Sequence, residues 1–251
     1  MGMVTADPDL DWQSSKISKT GFFMDEIAKS QKKFYLNKFQ QYGDSPQSLS
    51  WNDKRTQYLR FQKIAELFKY EHSNQFSVHE IGCGLAHFKE FLNEYPASIS
   101  YSGSDIVEEF VETNKSKFPE CSFYVENISK DLKSINASIK GHDYYCLNGT
   151  FHTKEQNSVK DWEKFVFKST KNMFSMAKKG ICINFLTSYS DFYDTNLYYA
   201  DPKQIFNWCI TNCSRFVSIS HDIPLYEFFV YIYKEDFIKE TFPEFPKYFK
   251  D

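Results

Sequence analysis

The segment VHEIGCGLAHF, residues 78–88, places a pair of glycines directly after a predicted strand over residues 76–81. Gly82 and Gly84 permit a tight turn from that strand into a helix. The helix start supplies backbone N–H groups that a ligand can approach closely. The chain is therefore constrained to a strand–turn–helix unit with a candidate ligand site at the strand's end.

The alternation of strands and helices continues from this unit toward the C-terminus. We predict strands over residues 76–81, 99–105, 122–125, 144–147, 181–186, 216–220 and 226–233. Helices are predicted over about 86–93, 107–117 and 158–177, and from Pro202 onward. This alternation predicts an α/β fold, a mainly parallel sheet of seven strands with helices on both faces. The last two strands are joined by a short turn and are predicted to pair antiparallel.

The first 75 residues have a different pattern. Residues 1–20 are polar and aperiodic, and we predict a loose leader there. Apolar residues then recur at helical spacing over residues 22–39 and 53–70, which predicts two helices. The predicted organisation is thus a leader (1–20), a helical cap (21–75) and a sheet domain (76–251).

Charge and cysteine content exclude several classes of function. Among 251 residues the formal net charge is −3, with acids and bases interspersed, so we expect no nucleic-acid partner. Cys209 and Cys213 are four positions apart with no second pair of ligands, so no metal site is expected. The N-terminus lacks a signal pattern and no apolar run approaches the length of a membrane span. We expect a cytoplasmic protein with reduced thiols.

Carboxylates end the first two predicted strands. Glu80 precedes the glycine turn, and Asp105 follows that turn by about twenty residues, a spacing that suits a carboxylate accepting the hydroxyls of a ribose. The alternative is that Asp105 caps the helix that begins near Val107. A dinucleotide dehydrogenase would favour a third glycine where this chain has His87, so that class of enzyme ranks second.

Across about residues 76–234 the sequence resembles the class I methyltransferases, which depend on S-adenosylmethionine (SAM). That family has an acid and G-x-G at the end of the first strand and an acid at the end of the second. Glu80, Gly82, Gly84 and Asp105 match this pattern, while Ala86 stands where the family often has a third glycine. The resemblance implies a Rossmann-like sheet, SAM as the cofactor, and a SAM-binding methyltransferase domain over residues 76–251.

The resemblance also assigns further contacts to the cofactor. After the third strand it implies that Asn127 and Ile128 border the adenine, and it places Ile106, next to Asp105, with the cofactor contacts. After the fourth strand, Asn148 and Gly149 are expected at the methionine part of SAM.

The cap segment SWNDKRTQYLRF, residues 50–61, resembles cap segments in which a glutamine and a basic residue reach the methionine tail. Trp51, Gln57 and Arg60 are therefore expected to contact SAM. An arginine fork can bind the methionine carboxylate through two hydrogen bonds. The alternative is a solvated Arg60 on an amphipathic helix.

Two histidines follow strands at the carboxyl edge of the predicted sheet, where ligands gather in such folds. His152 follows the fourth strand and His221 the sixth, and either is a candidate base for a hydroxyl acceptor. The alternative for each is a structural histidine. The tyrosine-rich loop at residues 187–199 is expected to line the acceptor side together with Asp222.

The segment after the fourth strand bears on the acceptor. Asn148-Gly149-Thr150-Phe151 lacks the prolines of the motif that methylates amino groups of DNA or RNA, which favours a small-molecule acceptor. The segments QQYGDSPQSLSWNDKRTQYLRF and NFLTSYSD resemble small bacterial methyltransferases of surface-polysaccharide biosynthesis. That resemblance implies O-methylation of a sugar or of a phosphoramidate group in a capsular polysaccharide precursor. Open alternatives are an N-methyltransferase of another small metabolite and a protein that binds SAM or a nucleotide without transferring methyl.

Overall fold

The computed structural model describes residues 8–50 and 53–249, with side chains of the first helix described from Met24 onward. The helices are α1 (Pro8–Tyr42), α2 (Lys54–Ala65), α3 (His87–Leu92), α4 (Glu108–Lys117), α5 (Val159–Met176), α6 (Pro202–Asn212) and α7 (Glu235–Thr241). The strands are β1 (Gln75–Ile81), β2 (Ser98–Asp105), β3 (Ser122–Val125), β4 (Tyr144–Leu147), β5 (Gly180–Thr187), β6 (Tyr199–Ala200), β7 (Val217–Ser220) and β8 (Glu227–Tyr233).

The described strands form one sheet in the order β3-β2-β1-β4-β5-β8-β7. Neighbours from β3 to β5 pair parallel, whereas β8 pairs antiparallel with both β5 and β7. The predicted α/β fold with an antiparallel last strand is therefore confirmed. The sheet has eight described strands instead of the predicted seven, because Tyr199–Ala200 adds a two-residue strand alongside β5.

Both faces of the central strands are buried, which explains the nearly continuous apolar runs of β4, β5 and β8. Side chains alternate between the two faces along β4: Tyr145 and Leu147 join one apolar cluster, and Tyr144 and Cys146 join the other. The helices therefore cover the sheet on both sides. Within the described chain, no helix combines the length and the apolar character that crossing a membrane requires.

The N-terminal segment differs from the expected loose leader. Helix α1 begins at Pro8, so residues 8–20 are helical, whereas residues 1–7 lie outside the described residues. Proline suits the first turn of a helix, and the polar residues that follow contain no further proline to end it. The short α7 is not among the predicted helices. Helices α1 and α2 occupy most of residues 21–75, and the boundaries of the cap stay a prediction.

Candidate functional site

A cleft lies at the carboxyl edge of the sheet. Its sheet wall comes from the residues that end β1, β2, β3 and β4, and its opposite wall comes from α1, α2 and the turn between them. The chain leaves β1 toward β2 on one side, and β4 lies on the other side. Such a reversal of strand order opens a crevice in which α/β proteins bind ligands.

The glycine turn lies at the centre of this cleft. Gly82 and Gly84 have φ of +65° and +50°, in the left-handed region that glycine adopts without strain. A Cβ atom on Gly82 would lie 2.2 Å from the hydroxyl oxygen of Thr150, and one on Gly84 would lie 2.6 Å from a methyl carbon of Leu49. Both glycines are thus favoured by the turn; in addition Gly82 packs closely against Thr150 after β4, and Gly84 against Leu49 of the cap wall.

Asp105 ties the glycine turn to the start of the next helix. One carboxylate oxygen accepts a hydrogen bond from the Gly84 N–H, and the other accepts one from the Val107 N–H, each at 2.9 Å. Burial raises the pKa of this carboxyl to about 6. Each carboxylate oxygen has a second lone pair, so the capping role and a contact with a ribose hydroxyl are compatible.

Two further acids line the cleft. Glu80 accepts a hydrogen bond from the Tyr101 hydroxyl, and burial raises its pKa to about 8. Glu126 precedes the predicted adenine contact Asn127, and its carboxylate accepts hydrogen bonds from the Asn127 and Asn136 N–H groups at 2.9 Å each. Glu126 was not among the predicted site residues, although its place at the end of the third strand matches those of Glu80 and Asp105.

Two buried side-chain amides in the cleft lining each have one atom without a hydrogen-bond partner among the described residues. These atoms are the side-chain nitrogen of Gln31, on α1, and the side-chain oxygen of Asn148, after β4. Buried polar atoms are rarely left in this state, so a donor on one wall and an acceptor on the other are available to a ligand.

The structure brings most of the predicted cofactor residues to this cleft. They are Gln57, Glu80, Gly82, Gly84, Asp105, Ile106, Asn127, Ile128 and Asn148. Trp51 lies outside the described residues.

The sequence interpretation missed several cleft residues on the cap side. Ala28, Gln31 and Tyr35 line the cleft from α1, where the sequence had indicated an apolar helix face and no ligand contact. Their spacing by three and four positions places them on one side of a helix, a signal that the sequence contains. His87 was also missed as a site residue, although it directly follows the glycine turn; its Nδ1 lies 3.1 Å from the Gln57 amide nitrogen.

Arg60 lies outside the cleft lining, contrary to the expectation that it holds the methionine carboxylate. Its Nε–H donates to both carboxylate oxygens of Glu227 at 2.9 and 3.0 Å, and a terminal N–H donates to the same group. The Asn184 amide also donates to Glu227 at 2.8 Å. Burial opposes the charge of Glu227, but His152, Arg60 and Asn184 hold its pKa below its ordinary value. A buried carboxylate needs such partners. Arg60 therefore compensates the charge of Glu227, and we revise the prediction that it binds the methionine carboxylate.

Neither predicted catalytic histidine lines the cleft. His152 is buried beside the Arg60–Glu227 pair, and burial lowers the pKa of its ring to about 4. His221 is exposed, with its ring 6.2 Å from that of Phe228. Both histidines follow strand ends at the carboxyl edge, but neither side chain is among those that line the cleft. The expectation that either acts as the base is therefore revised.

The expected acceptor loop is also placed away from the cleft lining. Tyr189, Phe192 and Tyr193 are exposed, and Asp222 forms an ion pair with Lys63 at 2.9 Å.

No family model matches the chain. Over 164 residues it is 26% identical to "Putative methyltransferase Rv1506c" of Mycobacterium tuberculosis (strain ATCC 25618 / H37Rv), covering 64% of this chain and 95% of that protein. The structure also resembles that of magnesium protoporphyrin IX methyltransferase (ChlM) from Synechocystis PCC 6803 with bound S-adenosylhomocysteine (SAH). That match has a TM-score of 0.55 at 12% identity and covers 79% of this chain and 94% of that chain. The chain has the class I SAM-dependent methyltransferase fold.

Small RNA methyltransferase HEN1 shares this methyltransferase fold, with a TM-score of 0.54 at 13% identity, covering 71% of this chain and 25% of that chain. Within the methyltransferase fold of this chain, the acids and glycines of the sequence pattern all line one cleft.

Proposed function

We propose that the chain is a methyltransferase that takes its methyl group from SAM and transfers it to an oxygen of a small polar acceptor. The observation that carries this proposal is the convergence of Glu80, the glycine turn and Asp105 on one cleft that also presents an unpartnered buried donor and acceptor. The similarity to a named methyltransferase and the shared fold support the same activity.

The charges of the cleft favour SAM over a dinucleotide. SAM carries a sulfonium, an ammonium and a carboxylate, so its net charge is positive. The acidic groups Glu80, Asp105 and Glu126 line the cleft, and a pyrophosphate would place two negative charges among them. In this proposal Asp105 accepts the ribose hydroxyls, Ile106, Asn127 and Ile128 border the adenine, and Asn148 contacts the methionine part.

When bound, SAM supplies a methyl group on a positively charged sulfur, which an acceptor oxygen displaces in line. The chain's own contribution is to orient the two molecules and to exclude water, and the cap wall formed by α1 and α2 closes the cleft for that purpose. Because His152 and His221 lie outside the cleft, we favour an acceptor oxygen that is already ionised. The phosphate-type oxygen of a phosphoramidate group has this property, whereas a sugar hydroxyl requires a base.

The net charge of −3 and the acidic cleft lining support a small acceptor over a nucleic acid. The specific acceptor proposed, a capsular polysaccharide precursor, rests on the cap segment at residues 40–61 and the loop segment at residues 184–191. The proposed cytoplasmic location rests on the six cysteines, each of which is a free thiol.

The test is transfer of label from SAM to a panel of nucleotide-linked sugars, with and without a phosphoramidate group. SAM labelled in its methyl group should label an acceptor, whereas SAM labelled in its carboxyl group should not. Transfer of the carboxyl label would show movement of the aminocarboxypropyl group instead. Binding of SAM without transfer to any acceptor, including short RNA, would favour a protein that only binds the cofactor.

A further inference from the structure

The pairing of Arg60 with Glu227 leaves the carboxylate of the proposed cofactor without its expected partner. Of the described residues that line the cleft, the acidic ones are Glu80, Asp105 and Glu126; Glu126 is paired at 3.1 Å with Lys130, which lies outside the lining. An additional carboxylate among these acids is unfavourable unless a cationic group compensates it. Among the described residues that line the cleft, His87 alone has a side chain that can carry a positive charge.

We infer that His87, rather than Arg60, provides the positive charge that faces the methionine carboxylate of SAM. This inference rests on the proposed function and adds a cofactor-binding residue to it.

The strand order supports this placement. Asp105 ends β2, and Asn127 and Ile128 follow β3, so the ribose and adenine are assigned to that side of the cleft. Because the order is β3-β2-β1-β4, the other arm of the ligand extends over β1 and β4. His87 follows the glycine turn after β1, and the unpartnered oxygen of Asn148 follows β4. His87 therefore lies on the side that remains for the methionine part.

The contacts of His87 suit a ring that changes its charge. Its Nδ1 lies 3.1 Å from the Gln57 amide nitrogen, which donates to the neutral ring. Rotating this amide by half a turn would present its oxygen to a protonated Nδ1, so Gln57 can serve both charge states. The imidazole is 13% exposed, and its Nε2 lies 3.6 Å from a carboxylate oxygen of Asp44.

The surroundings of His87 predict a coupling between protonation and binding. Burial lowers the pKa of its ring; Glu90 on α3 and Asp44 act to raise it, and Lys117 on α4 lowers it. The ring is therefore mostly neutral near pH 7 in the ligand-free protein. A bound carboxylate would raise its pKa again, so the ligand takes up a proton with it and binds more tightly as the pH falls.

The experiment compares SAH with 5′-methylthioadenosine, which shares the nucleoside and thioether but lacks the carboxylate. Calorimetry at pH 6 and pH 8 gives the ratio of the two affinities, and contributions from Asp105 to the shared ribose cancel in that ratio. For the native protein we expect the ratio to favour SAH more strongly at pH 6. In His87→Gln we expect SAH to bind about ten- to a hundredfold more weakly at pH 6, with little change for 5′-methylthioadenosine. The variant should also lose most of the pH dependence of the ratio. The pH dependence that remains in the variant is attributed to the titration of Glu80.

The exposed His72, changed to Gln, is the matched control and should leave both affinities unchanged. Retained binding of 5′-methylthioadenosine shows that the His87 variant is folded. Should it fail to fold, the ratio measured at pH 6 and pH 8 in Glu80→Gln, which removes the contribution of Glu80, decides the matter. Equal losses for both ligands, or a ratio in the native protein that does not change with pH, would overturn the inference. Failure of the native protein to bind either ligand would instead remove the proposed function.

Discussion

The two walls of the cleft differ in what holds their functional groups in place. On the sheet wall, Glu80 and Asp105 follow directly from strand ends, and hydrogen bonds to the Gly84 and Val107 N–H groups fix Asp105. On the cap wall, Gln31 and Gln57 project from helices, and packing against the rest of the chain decides their positions. Groups set by the backbone of a strand–turn–helix unit can therefore be assigned from the sequence, whereas groups set by helix packing need the structure.

The walls also differ in their charges. The acids of the sheet wall are buried without a basic partner in the cleft lining, so burial raises the pKa of Glu80 to about 8 and that of Asp105 to about 6. On the cap side, Arg60 is paired with Glu227 and is not among the described residues that line the cleft. A bound cation would favour the ionised form of these acids, so a cationic ligand is held mainly by the sheet wall, and the cap contributes closure and polar contacts.

Arg60→Ala should have the largest effect, and the effect should be on stability. Removing one partner of a buried ion pair leaves Glu227 uncompensated, which costs on the order of 3–5 kcal/mol of unfolding free energy. Urea denaturation measures the loss, with Arg55→Ala, an exposed arginine on the same helix, as the control. Replacing both partners by apolar residues, Arg60→Met with Glu227→Leu, should recover much of the stability. A variant that stays stable and loses affinity for SAH alone, not for 5′-methylthioadenosine, would show that Arg60 contacts the methionine part of the ligand after all.

Glu80→Gln should change the pH dependence of stability. The pKa of Glu80 is about 8 in the folded protein, above its ordinary value of 4.5, so the folded state holds more protons than the unfolded state between these values. The stability of the ligand-free protein therefore falls as the pH rises from about 4.5 to about 8. The Gln variant lacks this loss and should be more stable than the native protein at pH 8.5 by on the order of 3 kcal/mol, with a much smaller difference at pH 4.

Urea denaturation across this pH range checks the Glu80 prediction, with the exposed Glu109→Gln as the control. Parallel pH profiles for the native protein and the Glu80 variant would contradict it.

Asp105→Ala should weaken SAH and 5′-methylthioadenosine to a similar degree, because both carry the ribose. A hydrogen bond to a charged group corresponds to roughly a ten- to hundredfold change in affinity. Calorimetry measures both constants, and Asp131→Ala, an exposed acid on a neighbouring loop, is the control. Since Asp105 also holds the glycine turn, Asp105→Asn provides a milder variant. Unchanged affinities would remove Asp105 from the site.

His221→Gln should have the smallest effect. General-base catalysis contributes on the order of a hundred- to ten-thousandfold, but His221 is exposed and does not line the cleft, so we expect turnover to change by less than about tenfold. The same is expected of His152→Gln at a temperature at which that variant is folded. Rates of methyl transfer with saturating SAM check both variants. A loss of a hundredfold or more in either would show that its histidine reaches the acceptor in the complex.

The residues of the sheet wall could be predicted from the sequence, whereas most residues of the cap wall could not. The alternation of strands and helices and the G-x-G turn predicted the sheet and the positions of Glu80 and Asp105, because strand ends in a parallel sheet meet at one edge. The same reasoning placed His152 and His221 at that edge, but neither side chain lines the cleft. Arg60 could not be placed, because its partner Glu227 lies 167 positions away in the sequence. Gln31 and Tyr35 have the spacing of one helix side, yet nothing in the sequence says which side covers a cleft.

A crystal structure of the complex with SAH tests the central claim most directly, because it locates both ends of the ligand against both walls. We expect the ribose hydroxyls on the carboxylate of Asp105, the methionine carboxylate beside the ring of His87, and Arg60 still paired with Glu227. SAH bound away from this cleft, or an Arg60 guanidinium that has left Glu227 to hold the methionine carboxylate, would contradict the account.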